Sequence, residues 1–272
     1  MAQSELTQPP QFTLSVRMRK NSRVSGTVIL LALALPAATA LAEKVPLPSV
    51  HSAGCQVPED VAWSGPIADS ALLPPSSRSG QKIVALGSSS TAGAGASRPE
   101  NGYVAQFGRA LETQAGGRRI QIINAGVNGN TTADMLRRLG PDVLDRRPAV
   151  VIWQTGTNDA LRQIPIEQFR RDLTRGLEEM KARGIKVILI DQQDFGRALA
   201  VKNYAAYVST MQDVAKEENV TLLRRYRVMG YLALQHRGGM PELLANDRLH
   251  MNDEAHRCVG ELLAEGINRL LR

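Results

Sequence analysis

From Lys82 onward the chain alternates short apolar runs with longer amphipathic ones, and this rhythm narrows the possible architectures more than any other feature. The short runs are Lys82–Leu86, Ile120–Asn124, Ala149–Trp153, Lys186–Asp191 and Val220–Leu223, rich in Val, Ile and Leu. Near-continuous apolar strands of this kind are buried on both faces, whereas a strand with one wet face alternates. Between them, Tyr103–Thr113, Thr131–Leu139, Ile166–Arg183 and Tyr204–Glu218 carry helical patterns. A last helix is expected from about Asp253 to Leu271, with Leu262, Leu263, Ile267, Leu270 and Leu271 on one face. Strand–helix alternation predicts an α/β fold: a five-stranded parallel sheet in a three-layer α/β/α sandwich. In such sheets the site sits at the carboxyl ends of the strands, so the residues after each strand matter most.

The segments ahead of Lys82 read differently. Arg17, Arg19, Lys20 and Arg23 form a basic block, followed by the apolar run from Val28 to Leu35, Pro36, and small residues up to Ala40-Leu41-Ala42. Together they predict a secretory signal peptide over 1–42, cleaved before Glu43, in a periplasmic or secreted bacterial protein. The apolar run falls short of the ~20 residues of a membrane span. The long polar stretch before Met18 suggests translation from Met18. Ser52-Ala53-Gly54-Cys55 faintly resembles a lipoprotein box, but Glu43 and Lys44 separate it from the apolar run, so lipidation is not expected. Residues 43–80, rich in Pro, Ser and Gly, read as an irregular arm over a domain spanning 81–272.

Composition excludes several classes. Of 272 residues, 43% are hydrophobic and 22% charged, which suits a soluble globular chain rather than a disordered one. The formal charge is +7, but residues 1–42 hold four bases and one acid, leaving 29 bases and 25 acids elsewhere. With no Lys/Arg run of five, no nucleic-acid partner is expected. Two cysteines, four histidines and no Cys-x-x-Cys pair argue against a metal site.

After the first strand comes Gly87-Ser88-Ser89-Ser90-Thr91-Ala92-Gly93, and after the second Gly126-Val127-Asn128-Gly129-Asn130. After the third comes Gly156-Thr157-Asn158-Asp159, and ahead of the last helix Asp247-Arg248-Leu249-His250-Met251-Asn252. In this order they resemble the blocks of the SGNH (GDSL-type) hydrolase family, over nearly the whole domain. The resemblance implies the flavodoxin-like fold of that family and a serine ester hydrolase without cofactor or metal. It makes Ser89 the nucleophile, His250 the base and Asp247 the residue that orients it. It makes Ser89 N–H, Gly129 N–H and the Asn158 side chain the oxyanion donors. The departure is Ser88, where the family usually has Asp; a charge beside the nucleophile is lost, but no catalytic group.

The chemistry needs these residue types. A serine hydroxyl attacks a carbonyl effectively only when a base takes its proton. An imidazole, with an ordinary pKa of ~6.5, can accept that proton and return it. A carboxylate on the far ring nitrogen orients the imidazole and stabilises the imidazolium. Each donor aimed at the developing oxyanion is worth ~3–4 kcal/mol of barrier.

Rival readings exist at each position. Ser88 and Ser90 share the turn with Ser89, but the glycines two before and four after match the block only for Ser89. Gly126 competes with Gly129 as donor, and Asn158 could instead cap the following helix. Asp253-Glu254-Ala255-His256 is a second Asp-x-x-His, in which Asp253 reads as helix cap and His256 as lining the pocket or the surface. His51 and His236 read as surface residues, and Trp153 as core. Gln154, Gln192 and Gln193 at strand ends could bind a substrate oxygen or face solvent. Tyr103 and Tyr204 read as helix-face packing.

The expected substrate is a small ester, with a short acyl chain, or an acylated carbohydrate. The alternatives are a catalytically silent carbohydrate-binding relative and a flavodoxin-like cofactor binder using the hydroxyl-rich turn as a phosphate loop. The flavodoxin-like reading leaves Asn158-Asp159 and Asp247-x-x-His250 unexplained. Cys55 and Cys258 are the only cysteines; in an exported protein they are expected to form a disulfide. It would anchor the arm and tether the segment that carries His250.

Overall fold

The computed structural model describes residues 49–51, 55–66, 81–114 and 120–270. The expected signal peptide over 1–42, the Met18 start, residues 43–48, 52–54 and 67–80 of the arm and Leu271 lie outside them. In chain order the strands are β1 (Ser49–His51), β2 (Gln56–Pro58), β3 (Trp63–Ser64), β4 (Gln81–Gly87), β5 (Ile120–Gly126), β6 (Val150–Gln154), β7 (Lys186–Ile190) and β8 (Thr221–Leu223). The helices are α1 (Glu59–Ala62), α2 (Ser89–Ala92), α3 (Tyr103–Gln114), α4 (Thr132–Arg137), α5 (Leu139–Asp142), α6 (Thr157–Leu161), α7 (Ile166–Lys181), α8 (Tyr204–Glu217), α9 (Arg225–Ala233) and α10 (Asp253–Leu270). The five expected strands and five expected helices are present, with ends within two residues of their expected positions.

Strands β4 to β8 are parallel and stand side by side in the order β8-β7-β6-β4-β5. The chain leaves β4 toward β5 on one side, then doubles back to β6 on the other. That reversal makes the carboxyl ends of β4 and β6 a topological switch point, where a crevice opens. Right-handed crossovers then require α3 on one face and α7 and α8 on the other. Accordingly α3 packs on α10, whereas α7 packs on α8 and α4.

Burial explains why the strands hold. All five residues of β6 are buried, as are Ile83 to Gly87 of β4 and Val187 to Ile190 of β7. Phe107 and Leu111 of α3 and Leu262, Leu263 and Ile267 of α10 complete one layer of the core. Phe169, Leu173 and Leu177 of α7 with Met211 and Val214 of α8 complete the other. Trp153 is fully buried, as expected.

The sheet has a sixth strand that the five-stranded expectation lacked. β3 runs antiparallel to β8, with Trp63 opposite Leu223 and Ser64 opposite Leu222. The arm is therefore not irregular throughout: β1 and β2 form an antiparallel pair, and α1 adds one helical turn. Two- and three-residue strands are too short to show a hydrophobic period, so only their backbone pairing reveals them. Trp63 is 5% exposed, and the space for its ring exists because position 266 of α10 is glycine. A Cβ there would stand 2.6 Å from Trp63 Cζ2.

Cys55 and Cys258 form a disulfide with Cα atoms 4.9 Å apart. The bridge occupies the Cys55 sulfur that a lipoprotein box would need. Among the described residues no helix is long and apolar enough to cross a membrane.

Candidate active site

Four chain segments meet at the carboxyl edge of the sheet. The turn after β4 begins α2, and Ser89 is its first residue. The first N–H groups of a helix lack intrahelical acceptors, so the Ser89 N–H is available to a ligand. Gly87 O accepts from Val127 N at 3.0 Å, which brings the loop after β5 alongside. The loop after β6 contributes α6, which contains Asn158. The segment before α10 carries Asp247 and His250.

Three of the five expected site residues form one line of contacts. Ser89 Oγ lies 2.8 Å from His250 Nε2, and His250 Nδ1 lies 2.6 Å from Asp247 Oδ2. The other carboxylate oxygen, Asp247 Oδ1, accepts from the backbone N–H of Leu249 and of His250, both at 2.9 Å. Partial burial pushes the Asp247 carboxyl upward, but these hydrogen bonds outweigh it and hold the pKa at about 2. Asp247 is therefore ionised throughout the neutral range and can accept from one tautomer of the imidazole, the Nδ1–H form.

The remaining two expected residues border the same space. Gly129 has φ +75°, a left-handed conformation that costs glycine nothing. Its carbonyl accepts from Arg162 at 2.8 Å. Asn158 donates one N–H of its amide to Asn130 O at 2.9 Å, leaving the other. Asp159, the next residue, is buried and accepts from Thr132 N with both carboxylate oxygens, at 3.2 and 3.1 Å. Burial raises its pKa to about 6 against the hydrogen bonds that lower it. Together Asn158 and Asp159 fasten the loop of Gly129 to the end of β6. A cleft of about 230 Å³ is lined by Ser89, Asn128, Gly129, Asn158, Leu161 and His250, among others.

The rival side chains are engaged in other hydrogen bonds. The Ser88 side chain is buried and turned onto Gln154, whose Oε1 accepts from Ser88 N (3.1 Å), Ser88 Oγ (3.1 Å) and Thr91 Oγ1 (3.0 Å). Ser90 Oγ donates to Gln193. Gln154, Gln192 and Gln193 are all buried, so none merely faces solvent. His256 lines neither pocket nor surface. It is fully buried, accepts from Tyr103 N at Nδ1 (3.1 Å) and donates from Nε2 to Ala94 O (3.0 Å). Desolvation lowers its pKa to about 4, so it stays neutral and braces the start of α3. Tyr103 and Tyr204 are buried in helix packing. His236 is partly buried between Glu242 and Glu254. Arg162 was not singled out from sequence, although its place one helical turn beyond Asn158 is the signal that finds it.

Comparisons with known proteins show the family to which the chain belongs. A model of the family described as non-GDSL lipase-like matches residues 54–272. An arylesterase of Vibrio mimicus is 27% identical over 153 residues, 55% of this chain and 70% of that protein. The esterase TesA of Pseudomonas aeruginosa is 30% identical over 113 residues, 42% of this chain but only 55% of its own length. Among solved structures, the acetyl xylan esterase AlAXEase matches 66% of this chain and 96% of its own, at 25% identity and a TM-score of 0.57.

Proposed function

The chain belongs to the non-GDSL lipase-like family, within the SGNH hydrolases, and on that footing we propose that it is a serine ester hydrolase. One observation carries the reading: the unbroken line from Asp247 through His250 to Ser89, ending in an open cleft. Ser89 Oγ attacks the ester carbonyl while His250 Nε2 takes its proton. Asp247, bonded to Nδ1–H, stabilises the imidazolium that results. The negative charge that grows on the carbonyl oxygen meets the N–H of Ser89, the N–H of Gly129 and the free N–H of Asn158. His250 returns the proton to the leaving alcohol, and an acyl group stays on Ser89. Water, deprotonated by His250, then releases the acid.

The substrate is a short-chain acyl ester, with O-acetyl carbohydrate as the leading candidate. The cleft's modest volume and the polar groups Asn128 and Asn158 on its wall favour a small acyl group on a polar alcohol. The related acetyl xylan esterase supports the same choice. We place the protein outside the bacterial cytoplasm, where a disulfide such as Cys55–Cys258 persists. The test is hydrolysis of p-nitrophenyl esters of graded acyl length and of acetylated xylan. Activity highest on acetyl and abolished in Ser89→Ala supports the reading; activity unchanged in Ser89→Ala overturns it.

A further inference from the structure

Ser89 and His250 are 161 residues apart, and their reaction requires their loops to hold one separation. The bond between them cannot do this alone, because it breaks and re-forms during each turnover. Another connection runs beneath it. Gln193, just beyond β7, is 1% exposed and uses both ends of its side-chain amide. Its Oε1 accepts from Ser90 Oγ at 2.9 Å, and its Nε2 donates to Leu249 O. Ser90 follows the nucleophile, and Leu249 precedes the base. Gln193 is itself held in place, since its backbone carbonyl accepts from Tyr204 Oη at 2.7 Å and Tyr204 is buried against Phe195.

From this closed ring we propose that Gln193 is a positioning residue, fixing the separation of Ser89 and His250 by tying the turn of one to the loop of the other. The inference rests on the esterase reading above. The pairing has a direction that only an amide satisfies: the serine hydroxyl needs an acceptor and the Leu249 carbonyl needs a donor. Asn carries the same groups on a stem one carbon shorter and cannot reach both. Gln154 makes an instructive contrast, because its three hydrogen bonds all return to the turn of Ser88 and Thr91. It stiffens one loop; Gln193 joins two.

Because the reacting groups are misplaced rather than removed, the loss falls on kcat. A displacement of ~1 Å can cost on the order of 10²-fold. The experiment measures kcat, KM and thermal unfolding of the full chain with p-nitrophenyl acetate, for Gln193→Met, Gln193→Asn, Ser90→Ala and the pair Ser90→Ala/Gln193→Met. Met fills the same volume without either hydrogen bond, so the fold is expected to persist. Expected are a kcat lower by roughly 10²-fold in Gln193→Met with KM within about threefold, and a smaller loss in Gln193→Asn. Ser90→Ala loses about three- to tenfold, and the double variant is no worse than Gln193→Met, because both changes cut the same tie. A Gln193→Met protein with kcat within threefold of its parent overturns the inference. So does a loss confined to KM, which would make Gln193 a substrate contact, or losses that multiply in the double variant. An active parent silenced by Ser89→Ala upholds the esterase reading whichever result Gln193 gives, so the two failures are distinguishable.

Discussion

Three consecutive serines in one turn have three different duties. Ser88 points down onto Gln154, Ser90 points down onto Gln193, and Ser89 between them is left half-buried facing His250. Ser89→Ala is therefore expected to remove nearly all ester hydrolysis with little change in melting temperature. Ser88→Ala removes one of three hydrogen bonds at Gln154 and keeps a substantial fraction of activity. A dead Ser88→Ala beside an active Ser89→Ala would show that the nucleophile is misassigned. The two histidines separate in the same way. His250→Ala is expected to cost several orders of magnitude in kcat/KM, because nothing else takes the Ser89 proton. His256→Ala leaves the chemistry and lowers stability, since it deletes the brace between Ala94 O and Tyr103 N. Its folded pKa is depressed to about 4, so its stabilisation is complete above the ordinary histidine range and is lost as pH falls toward 4. Kinetics and thermal melts of both variants from pH 4 to pH 8 check these assignments; a dead His256→Ala beside an active His250→Ala sinks the base assignment.

Among the elements, α4 and α6 decide whether the side of the cleft lined by Gly129 and Asn158 stays assembled. Thr131 caps α4, with its hydroxyl on Asp134 N and the Asp134 carboxylate on Thr131 N, while Thr132 N reaches across to Asp159 in α6. Asp159 is 1% exposed, and its pKa of about 6 lies above the unfolded carboxylate value of ~3.9. Between those values the folded state holds the extra proton, so stability falls as pH rises through that window. Above it the ionised group carries a cost on the order of 2–3 kcal/mol. Asp159→Asn removes that titration while keeping an acceptor for Thr132 N. Relative to its parent, the variant is expected to gain in melting temperature between pH 5 and pH 8. A difference independent of pH removes the assignment. The elements also show what a sequence reading can reach. The long strands and helices follow from periodicity, and Ser89, Asn158, Asp247 and His250 stand out because each directly follows a strand or precedes a helix at fixed spacing. Gln193 was marked by its place at a strand end, but not its role: its partners lie 103 and 56 residues away, and no local pattern encodes a contact that distant. α9 was missed because its buried face includes a charged residue, Arg225, so its apolar stripe is broken. His256 was misplaced because spacing on a helix fixes a face but does not say what covers it.

At the scale of the whole molecule, the amino-terminal segment is fastened to the last helix at three points. Cys55 is bridged to Cys258, the Trp63 ring lies against Gly266, and Glu59 pairs with Arg269. α10 begins three residues after His250, so whatever steadies α10 also steadies the loop that carries His250. The ion pair is partly exposed and contributes little. Burial of Trp63 contributes more, and the disulfide most: by the chain-entropy model, closing a loop of 203 residues is worth about 5 kcal/mol, although measured gains are often smaller. For a chain of this size each kcal/mol moves the melting temperature by about 2–4 °C. The double variant Cys55→Ser/Cys258→Ser is thus expected to melt roughly 10 °C below its parent. At 25 °C it retains most of its kcat, because the separation of Ser89 and His250 is held locally through Gln193, and it loses activity earlier on heating. Intact-mass analysis after thiol alkylation, with and without reductant, is the direct check on the bridge. Unreduced protein should take up no alkyl groups and reduced protein two. Two alkylated thiols without reductant, in protein recovered from an oxidising compartment, would end the proposal that the bridge forms in the native chain.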